Sequence, residues 1–216
     1  MYKKITHTIV EEHFAHPIGV DIAANVKTGR PMGRPQLAEI MSTAQLKSFV
    51  DNYFIETEDK LVELCNATFD ENLDFQAAIA NAMDYEALGD MLGKYYDIEF
   101  KERFNQNCGI AIMQLMYYWR NAIRKFDNKD TVVRLKAQSW AMGIILNQYN
   151  NYWDRDIVRI AFDEFFGEFI NLGNAKLAKN KSAETAALDK IAAAGSKISN
   201  YVSNGLLQNH PELFTA

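Results

Sequence analysis

Proline is scarce and unevenly placed in this chain. The four prolines are Pro17, Pro31, Pro35 and Pro211, and the 175 residues between the last two contain none. Sandwiches and barrels need many turns, and proline marks some of those turns. Its absence argues against such folds and favours long helices.

Cysteine and long apolar runs are also scarce. The only cysteines, Cys65 and Cys108, stand far apart, which excludes a CxxC motif and a disulfide framework and leaves two small core residues as the expectation. The longest apolar stretches, such as 109–118, fall well short of the roughly 20 residues of a membrane span. The start of the chain lacks the apolar run of a signal peptide. We therefore expect a soluble protein in a reducing compartment, not a secreted one.

Motifs for catalysis are missing as well. The sequence has no GxGxxG, P-loop or GxSxG pattern. Its acidic pairs, such as Asp163 and Glu164, lack the histidine, lysine or glycine-loop partners that acid–base catalysis uses. We therefore predict no enzymatic activity and no cofactor.

The N-terminal residues Glu11, Glu12, His13 and His16 come nearest to a metal site. On a helix, His13 and His16 would share a face. A di-iron carboxylate bundle, however, needs glutamates three residues before histidines, and no glutamate here has that position. A metal-dependent helical-bundle enzyme using this cluster is kept only as an alternative.

What the chain does have is material for one helical domain. Apolar residues make up 48% and aromatic residues 12% of the 216 residues, which suffices for a core. Ser42 and Gln45 form a capping box, so a helix is expected to begin there. Apolar periodicity and polar breaks then predict helices near 42–64, 75–93, 97–105, 107–126, 131–149, 155–172 and 183–203. The prediction is an all-α fold with about six to seven helices, in which 107–126 is buried centrally because it is apolar nearly all round.

The predicted organisation has three segments. Residues 1–41, which hold three of the four prolines, are read as an extended N-terminal arm with one short helix; 42–181 form the core, and 182–216 a C-terminal helix and tail. Gly173 and Asn174 are interpreted as a helix C-cap. Ser182 is expected to cap the last helix, and Gly205 and Pro211 to end it.

The net charge of −5 hides an uneven distribution. Residues 36–105 carry a net charge of −10, whereas residues 106–181 carry +4. Such a chain is suited to packing head to tail with its own copies or to holding a polyanion against its basic half.

The basic half also interleaves cations with aromatic side chains. The cations are Arg120, Arg124, Lys125, Lys129, Arg134, Lys136, Arg155 and Arg159. The aromatics are Tyr117, Tyr118, Trp119, Trp140, Tyr149, Tyr152 and Trp153. Cations beside stacking rings hold single-stranded nucleic acid without reading its sequence. The alternative interpretation is that the rings are core and the cations merely solvated.

Two segments of this half are DTVVRLKAQSWAMGIILN at 130–147 and RIAFDEFFG at 159–167. They resemble the core arginine helix and the alanine–phenylalanine–aspartate–aromatic motif of the coat proteins of flexuous filamentous plant viruses. The opening STAQLK of 42–47 is similar to the start of the family's core domain, and SAETAA of 182–187 suits the helix that follows the aspartate motif.

The resemblance implies a structural subunit that polymerises into a helical filament around single-stranded RNA. Arg134 and Asp163 would match a family ion pair that braces the core beside the RNA. The implied RNA groove would be served by Arg120, Arg124, Arg134, Lys136 and Arg159. The implied subunit-contact positions of the arm are Ile18, Val20, Ile22, Val26, Pro31 and Pro35. The partners would be copies of this chain and RNA, without a membrane, in a virion or the host cytoplasm. A protein-only helical assembly or connector module is the first alternative.

Overall fold

The computed structural model describes residues 41–215, and most of them are helical. Seven α-helices cross this part of the chain: α1 (Thr43–Phe69), α2 (Phe75–Ala82), α3 (Ala87–Gly93), α4 (Ile98–Arg124), α5 (Lys129–Tyr149), α6 (Arg155–Leu177) and α7 (Lys181–Asn209). A 3₁₀ turn, Pro211–Leu213, follows α7. The predicted all-α fold of about six to seven helices is confirmed.

A short parallel pairing joins the two ends of the described chain. The two-residue strands β1 (Met41–Ser42) and β2 (Phe214–Thr215) lie side by side, with Met41 opposite Phe214. Ser42 also caps α1 as predicted. Its hydroxyl accepts from the Gln45 amide at 3.1 Å, and the Gln45 side chain accepts from the Ser42 amide at 2.8 Å.

Most of the other long helices start at an acidic or amide cap. Asp97 and Asp154 accept backbone amides at the starts of α4 and α6. At α7 the cap is Asn180, which accepts from the Ala183 amide at 3.1 Å, so the helix begins before Ser182. The prediction of Ser182 as the cap is wrong, because the asparagine two residues earlier already satisfies the orphan amide.

The predicted helix over 75–93 is interrupted between α2 and α3. Lys60 of α1 donates to the Asp84 carbonyl oxygen at 2.8 Å and pairs with the Asp84 carboxylate at 3.0 Å. The Tyr53 hydroxyl donates to the Tyr85 carbonyl oxygen at 2.9 Å. These bonds from α1 take the carbonyl groups that a continuous helix would use, so tertiary contacts override the local periodicity.

The predicted elements 97–105 and 107–126 form one helix, α4. The polar residues between them find partners without ending it, since Asn105 donates to Asp90 at 3.3 Å and Asn107 donates to the Arg103 carbonyl oxygen at 2.8 Å. α4 packs against α1, α3, α5 and α6 and is the central helix, as predicted. Its far end is less enclosed than predicted, because Tyr117 and Ile123 are exposed there.

Two glycines that were expected to end helices lie inside them. Gly173 is in α6 and Gly205 is in α7. A side chain at Gly173 would overlap the indole of Trp119, and one at Gly205 would overlap the indole of Trp153. The absent side chains make room for buried tryptophans, and the two helices continue past these glycines to Leu177 and Asn209.

The last helix belongs to the packed body. α7 lies along α6 and α1, and its buried side chains include Ile191, Ile198, Val202 and Leu206. None of the helices within 41–215 combines the length and hydropathy that crossing a membrane would require.

Candidate nucleic-acid interface

The five cations predicted to bind RNA lie on three successive helices. Arg120 and Arg124 are on α4, Arg134 and Lys136 on α5, and Arg159 on α6. Arg120 and Arg124 are one turn apart and therefore neighbours, whereas residues two apart, such as Arg134 and Lys136, point to different sides of a helix. The structure therefore does not gather all five on one face.

The two arginines of α4 that are predicted to bind RNA have different surroundings. Arg120 is half-buried, and its guanidinium lies 5.6 Å from the centre of the Phe75 ring at the start of α2. Arg124 is exposed on the last turn of α4, next to Lys125, whose left-handed backbone (φ 60°) ends the helix. Arg124 is thus the freer of the two to meet a phosphate.

The two cations of α5 that are predicted to bind RNA are both available. Arg134 and Lys136 are exposed, and neither forms an ion pair with another described residue. Solvated cations of this kind attract a polyanion through long-range electrostatics rather than fixed contacts.

Arg159 forms its ion pairs with residues of its own helix. Its Nη1 lies 3.2 Å from Oδ2 of Asp163, and its Nε lies 3.7 Å from Oδ1 of Asp156. The Asp163 carboxylate therefore pairs with Arg159, one turn earlier, and the structure does not form the ion pair expected between Arg134 and Asp163. The i, i+4 spacing within α6 gives Asp163 a local partner, and Arg134 stays in solvent.

Only part of the aromatic set is available for stacking. Trp119 and Trp153 are fully buried, and Tyr118 and Tyr149 are half-buried, so these four rings are core. Tyr117, Trp140 and Tyr152 are exposed. Four of the seven rings therefore belong to the core, and binding of nucleic acid by the three exposed rings stays a prediction.

One exposed ring was absent from the predicted set. Phe126, in the turn between α4 and α5, is 61% exposed. It directly follows Arg124 and Lys125 in the sequence, and that order of two cations and a phenylalanine in a polar turn is the signal that would have found it. These three residues and Tyr117 place cations and rings together at one end of the α4–α5 hairpin.

A second basic feature that the sequence reading missed lies at the turn between α6 and α7. A cleft of about 490 Å³ there is lined in part by Lys176, Lys179 and Lys181. Glu184 pairs with two of them and offsets one positive charge, because its Oε2 lies 3.4 Å from Lys176 and 3.0 Å from Lys181. The hydrogen bond from Lys181 is the main reason that the pKa of Glu184 is lowered. Three lysines within six residues were the available sequence signal.

Both cysteines of the described region are protonated thiols, and its histidine, cysteine and acidic side chains are dispersed. Burial raises the pKa of the Cys65 and Cys108 thiols to about 12, so both stay protonated at neutral pH. Between residues 41 and 215, no three histidine, cysteine or acidic side chains gather as a metal site would require. The cluster of Glu11, Glu12, His13 and His16 lies outside the described residues, as do the predicted arm contacts Ile18, Val20, Ile22, Val26, Pro31 and Pro35.

No family model matches the chain, and neither the curated proteins nor the solved structures contain a match to it.

Proposed function

We propose that this protein is the structural subunit of a helical filament that encloses single-stranded RNA, in a virion or the host cytoplasm. The observation that carries the proposal is the end of the α4–α5 hairpin, where exposed cations and exposed rings lie together. The resemblance of 130–147 and 159–167 to filamentous coat proteins adds support.

RNA would be held by its phosphates and by base stacking. Arg124 and Arg134 supply exposed positive charge on adjacent helices, with Arg120 as a half-buried neighbour. Tyr117 and Phe126 offer exposed faces for bases. Recognition of this kind tolerates any sequence and weakens as salt rises, because binding releases counterions from the phosphates.

Electron microscopy of the purified full-length protein, with and without single-stranded RNA, tests the filament directly. Regular helical filaments that contain protected RNA are the expected result. Particles that remain monodisperse monomers under every condition would exclude the proposal.

Charge reversal tests the RNA surface separately. Arg124→Glu and Arg134→Glu should each weaken RNA binding equally for all sequences and reduce the dependence of the affinity on salt. Lys47→Glu makes the same charge change at an exposed position of α1 and serves as the control. If all three variants lose affinity to the same extent, the α4–α5 surface is not the binding site.

A protein-only assembly module is the second candidate, and one observation favours it. Large apolar side chains are exposed on the outer surface of α5 and α6, namely Val133, Trp140, Ile157 and Ile160. Large exposed apolar side chains are suited to contacts with another protein where they are continuous with other apolar surface. The ratio of absorbance at 260 and 280 nm of the native assembly decides whether nucleic acid is also present.

A further inference from the structure

The end of α4 is a Schellman motif with a lysine in the position that glycine usually occupies. The Phe126 amide donates to the Asn121 carbonyl oxygen at 2.9 Å, and the Lys125 amide donates to the Ala122 carbonyl oxygen at 3.1 Å. Lys125 takes the left-handed backbone conformation (φ 60°) that this motif requires. Glycine is favoured at this position because it has no Cβ atom to crowd the backbone.

The end of α6 repeats the motif, again with a lysine in the glycine position. The Asn180 amide donates to the Ala175 carbonyl oxygen at 2.9 Å, and the Lys179 amide donates to the Lys176 carbonyl oxygen at 3.0 Å. Lys179 has φ 54°. Together with Lys125, it completes the set of non-glycine residues with a positive φ in the described part of the chain.

The two lysines lie at the same end of the bundle, because α4 and α6 run parallel to each other. Their starts are neighbours, since the ring centres of Tyr96, two residues before α4, and Trp153, two residues before α6, are 5.5 Å apart. Their ends are neighbours too, since the Tyr118 hydroxyl donates to Asn174 at 3.1 Å. The α4–α5 and α6–α7 turns therefore project side by side from helices whose axes, when in contact, lie about 8–10 Å apart.

Neither lysine side chain has a polar partner in the described part of the chain. Both side chains are exposed. The helix macrodipole favours a cation near a helix C-terminus, but Arg124 and Lys176 already supply one in the last turns of α4 and α6. Rarely populated backbone conformations cluster at binding sites, where the surrounding structure holds them in place. The two lysines are therefore suited to bind an external anion.

The two turns carry a surplus of positive charge. Their cations are Arg124, Lys125, Lys129, Lys176, Lys179 and Lys181. Their acids are Asp127, Asp130 and Glu184. Three of the cations form ion pairs with these acids, and Arg124, Lys125 and Lys179 stay unpaired within residues 41–215. Three unpaired cations thus stand against one unpaired acid, Asp130.

Acidic side chains bound this surface on the side of α1. They belong to the α1–α2 loop and are Asp70, Glu71 and Asp74. The loop reaches the same end of the bundle, because Asp70 lines the cleft beside Lys179 and the Phe75 ring lies 5.6 Å from the Arg120 guanidinium. A polyanion is therefore attracted to the α4–α5 and α6–α7 turns and repelled from the α1–α2 loop.

We propose that the α4–α5 and α6–α7 turns form one phosphate-binding surface, on which Lys125 and Lys179 bind the backbone of the same single strand of RNA. This inference rests on the RNA part of the proposed function and extends its site from the hairpin to a second turn. The two Schellman motifs fix the backbone positions of both lysines before RNA arrives, which lowers the ordering cost of binding.

Glycine substitution in the full-length chain separates the charge of each lysine from its place in the fold. Lys125→Gly and Lys179→Gly introduce the residue that the left-handed position favours, so the Tm of each variant should at least equal that of the wild type. Each should nevertheless bind a labelled single-stranded RNA of mixed sequence more weakly. The slope of log affinity against log salt should fall by about 0.7 for each lysine removed. Thermal unfolding and fluorescence anisotropy over a salt series measure the two effects.

Lys94→Gly is the matched control, because Lys94 is exposed and has a helical φ of −68° at the end of α3. It lies at the opposite end of the bundle, since a side chain at the preceding Gly93 would overlap Lys101 in the first turn of α4. This variant makes the same charge change without releasing a left-handed residue. It should keep the RNA affinity of the wild type and have a lower Tm.

Lys125→Arg and Lys179→Arg keep the charge and should bind RNA as the wild type does. The inference is overturned if either glycine variant keeps the wild-type affinity, or if Lys94→Gly loses as much affinity as they do. If Arg124→Glu weakens binding in the same experiment, the α4–α5 surface and the proposed function stand without the second turn. Titration with a short RNA should reach one RNA per protein copy, and two would show separate sites and overturn the single surface. A wild type that binds no RNA removes RNA from the proposed function and this surface with it.

Discussion

Two buried tryptophans are held in the same way at two different places in the molecule. Trp119 of α4 donates its indole N–H to the Phe169 carbonyl oxygen of α6 at 3.1 Å. Trp153, in the turn before α6, donates to the Val202 carbonyl oxygen of α7 at 3.1 Å. In each case a nearby glycine, Gly173 or Gly205, leaves the space in which the indole lies.

The two sites differ in what surrounds the ring. Around Trp153, the buried Asn150 donates to the Tyr96 hydroxyl at 3.1 Å and to the Gly205 carbonyl oxygen at 2.9 Å, and accepts from the Tyr152 amide at 2.9 Å. At the Trp119 site, the hydroxyl of the adjacent Tyr118 donates to Asn174 at 3.1 Å, and this bond is exposed. A tryptophan within a helix needs only the space that a glycine leaves in the adjacent helix. A tryptophan in a turn also needs polar groups that hold the turn in its conformation.

Removal of each indole should have the largest effect. Trp119→Ala and Trp153→Ala are each expected to lower the free energy of unfolding by about 3–5 kcal/mol, with the larger loss at Trp153, where the turn also loses its support. Urea denaturation measures both. Trp140→Ala, at an exposed ring, should stay within about 0.5 kcal/mol of the wild type. A greater loss at Trp119 than at Trp153 would contradict the role assigned to the polar turn.

Substitution of the two glycines should come next. Alanine normally stabilises a helix relative to glycine, but at Gly173 and Gly205 it would push against an indole, and we expect a cost of about 1–3 kcal/mol. Gly167 is the control in α6, because no atom lies within 4 Å of the position its side chain would take. Gly167→Ala should stabilise by about 0.5–1 kcal/mol. Thermal unfolding of the three variants would refute the space-filling explanation if all shifted in the same direction.

The polar turn can be tested without touching either ring. Asn150→Ala removes a buried side chain that bonds three groups, and should cost about 1–3 kcal/mol. The matched change at the other site, Asn174→Ala, removes one exposed bond and should cost at most about 0.5 kcal/mol. Equal losses, measured by urea denaturation at pH 7, would mean that the two sites do not differ in the way described.

The smallest expected effect concerns a half-buried carboxyl group, Glu58, which lies beside a third glycine. Gly195 of α7 faces the Glu58 carboxyl group of α1, and burial, together with the charge of Asp59, raises the pKa of Glu58 from 4.5 to about 7. The folded state therefore holds this proton more tightly than the unfolded state, and stability should fall as pH rises from about 4.5 to about 7.

Glu58→Gln should remove this pH dependence and make the protein more stable than the wild type at pH 8. Since Glu58 is only half-buried, we expect a difference of about 1 kcal/mol or less. Urea denaturation at pH 5 and pH 8 measures it. A wild type whose stability does not decline between these values would show that Glu58 titrates normally.

Helix starts and the all-α fold could be predicted from the sequence, because caps and apolar periodicity are local. Ser42 and Gln45 form their capping box with each other, so four residues contain the whole signal. Gly173 was misread because its meaning depends on Trp119, which lies 54 positions earlier in the chain. The break at 83–86 likewise depends on Lys60 and Tyr53 of another helix.

The sequence predicted which residue types occur at the candidate site, but not their exposure or their partners. The sequence identified exposed Arg124 and Arg134, but a basic, aromatic stretch does not reveal which rings are core, and Trp119 and Trp153 proved to be buried. The partner of Asp163 was also taken from a distant arginine, although Arg159 stood one turn away. The burial of a ring depends on the direction of its side chain on the helix, and the partner of Asp163 depends on competition between near and far arginines. Residue types alone determine neither.

The pairing of β1 with β2 has a consequence for the connectivity of the body. Met41 and Phe214 are opposite each other, so their backbones are about 5 Å apart, as in any sheet. The two ends of the helical body are therefore adjacent, so the order of the helices along the chain depends on which connection is left open. Because the two strands are parallel, a linker of about a dozen residues is needed to lead from residue 215 back to residue 41. With new ends opened between α6 and α7, such a linker would keep every helix contact in place. In such a permuted chain, residues 1–40 would be attached at another end or omitted. Comparison with the native chain would show which properties belong to the helical body and which depend on residues 1–40.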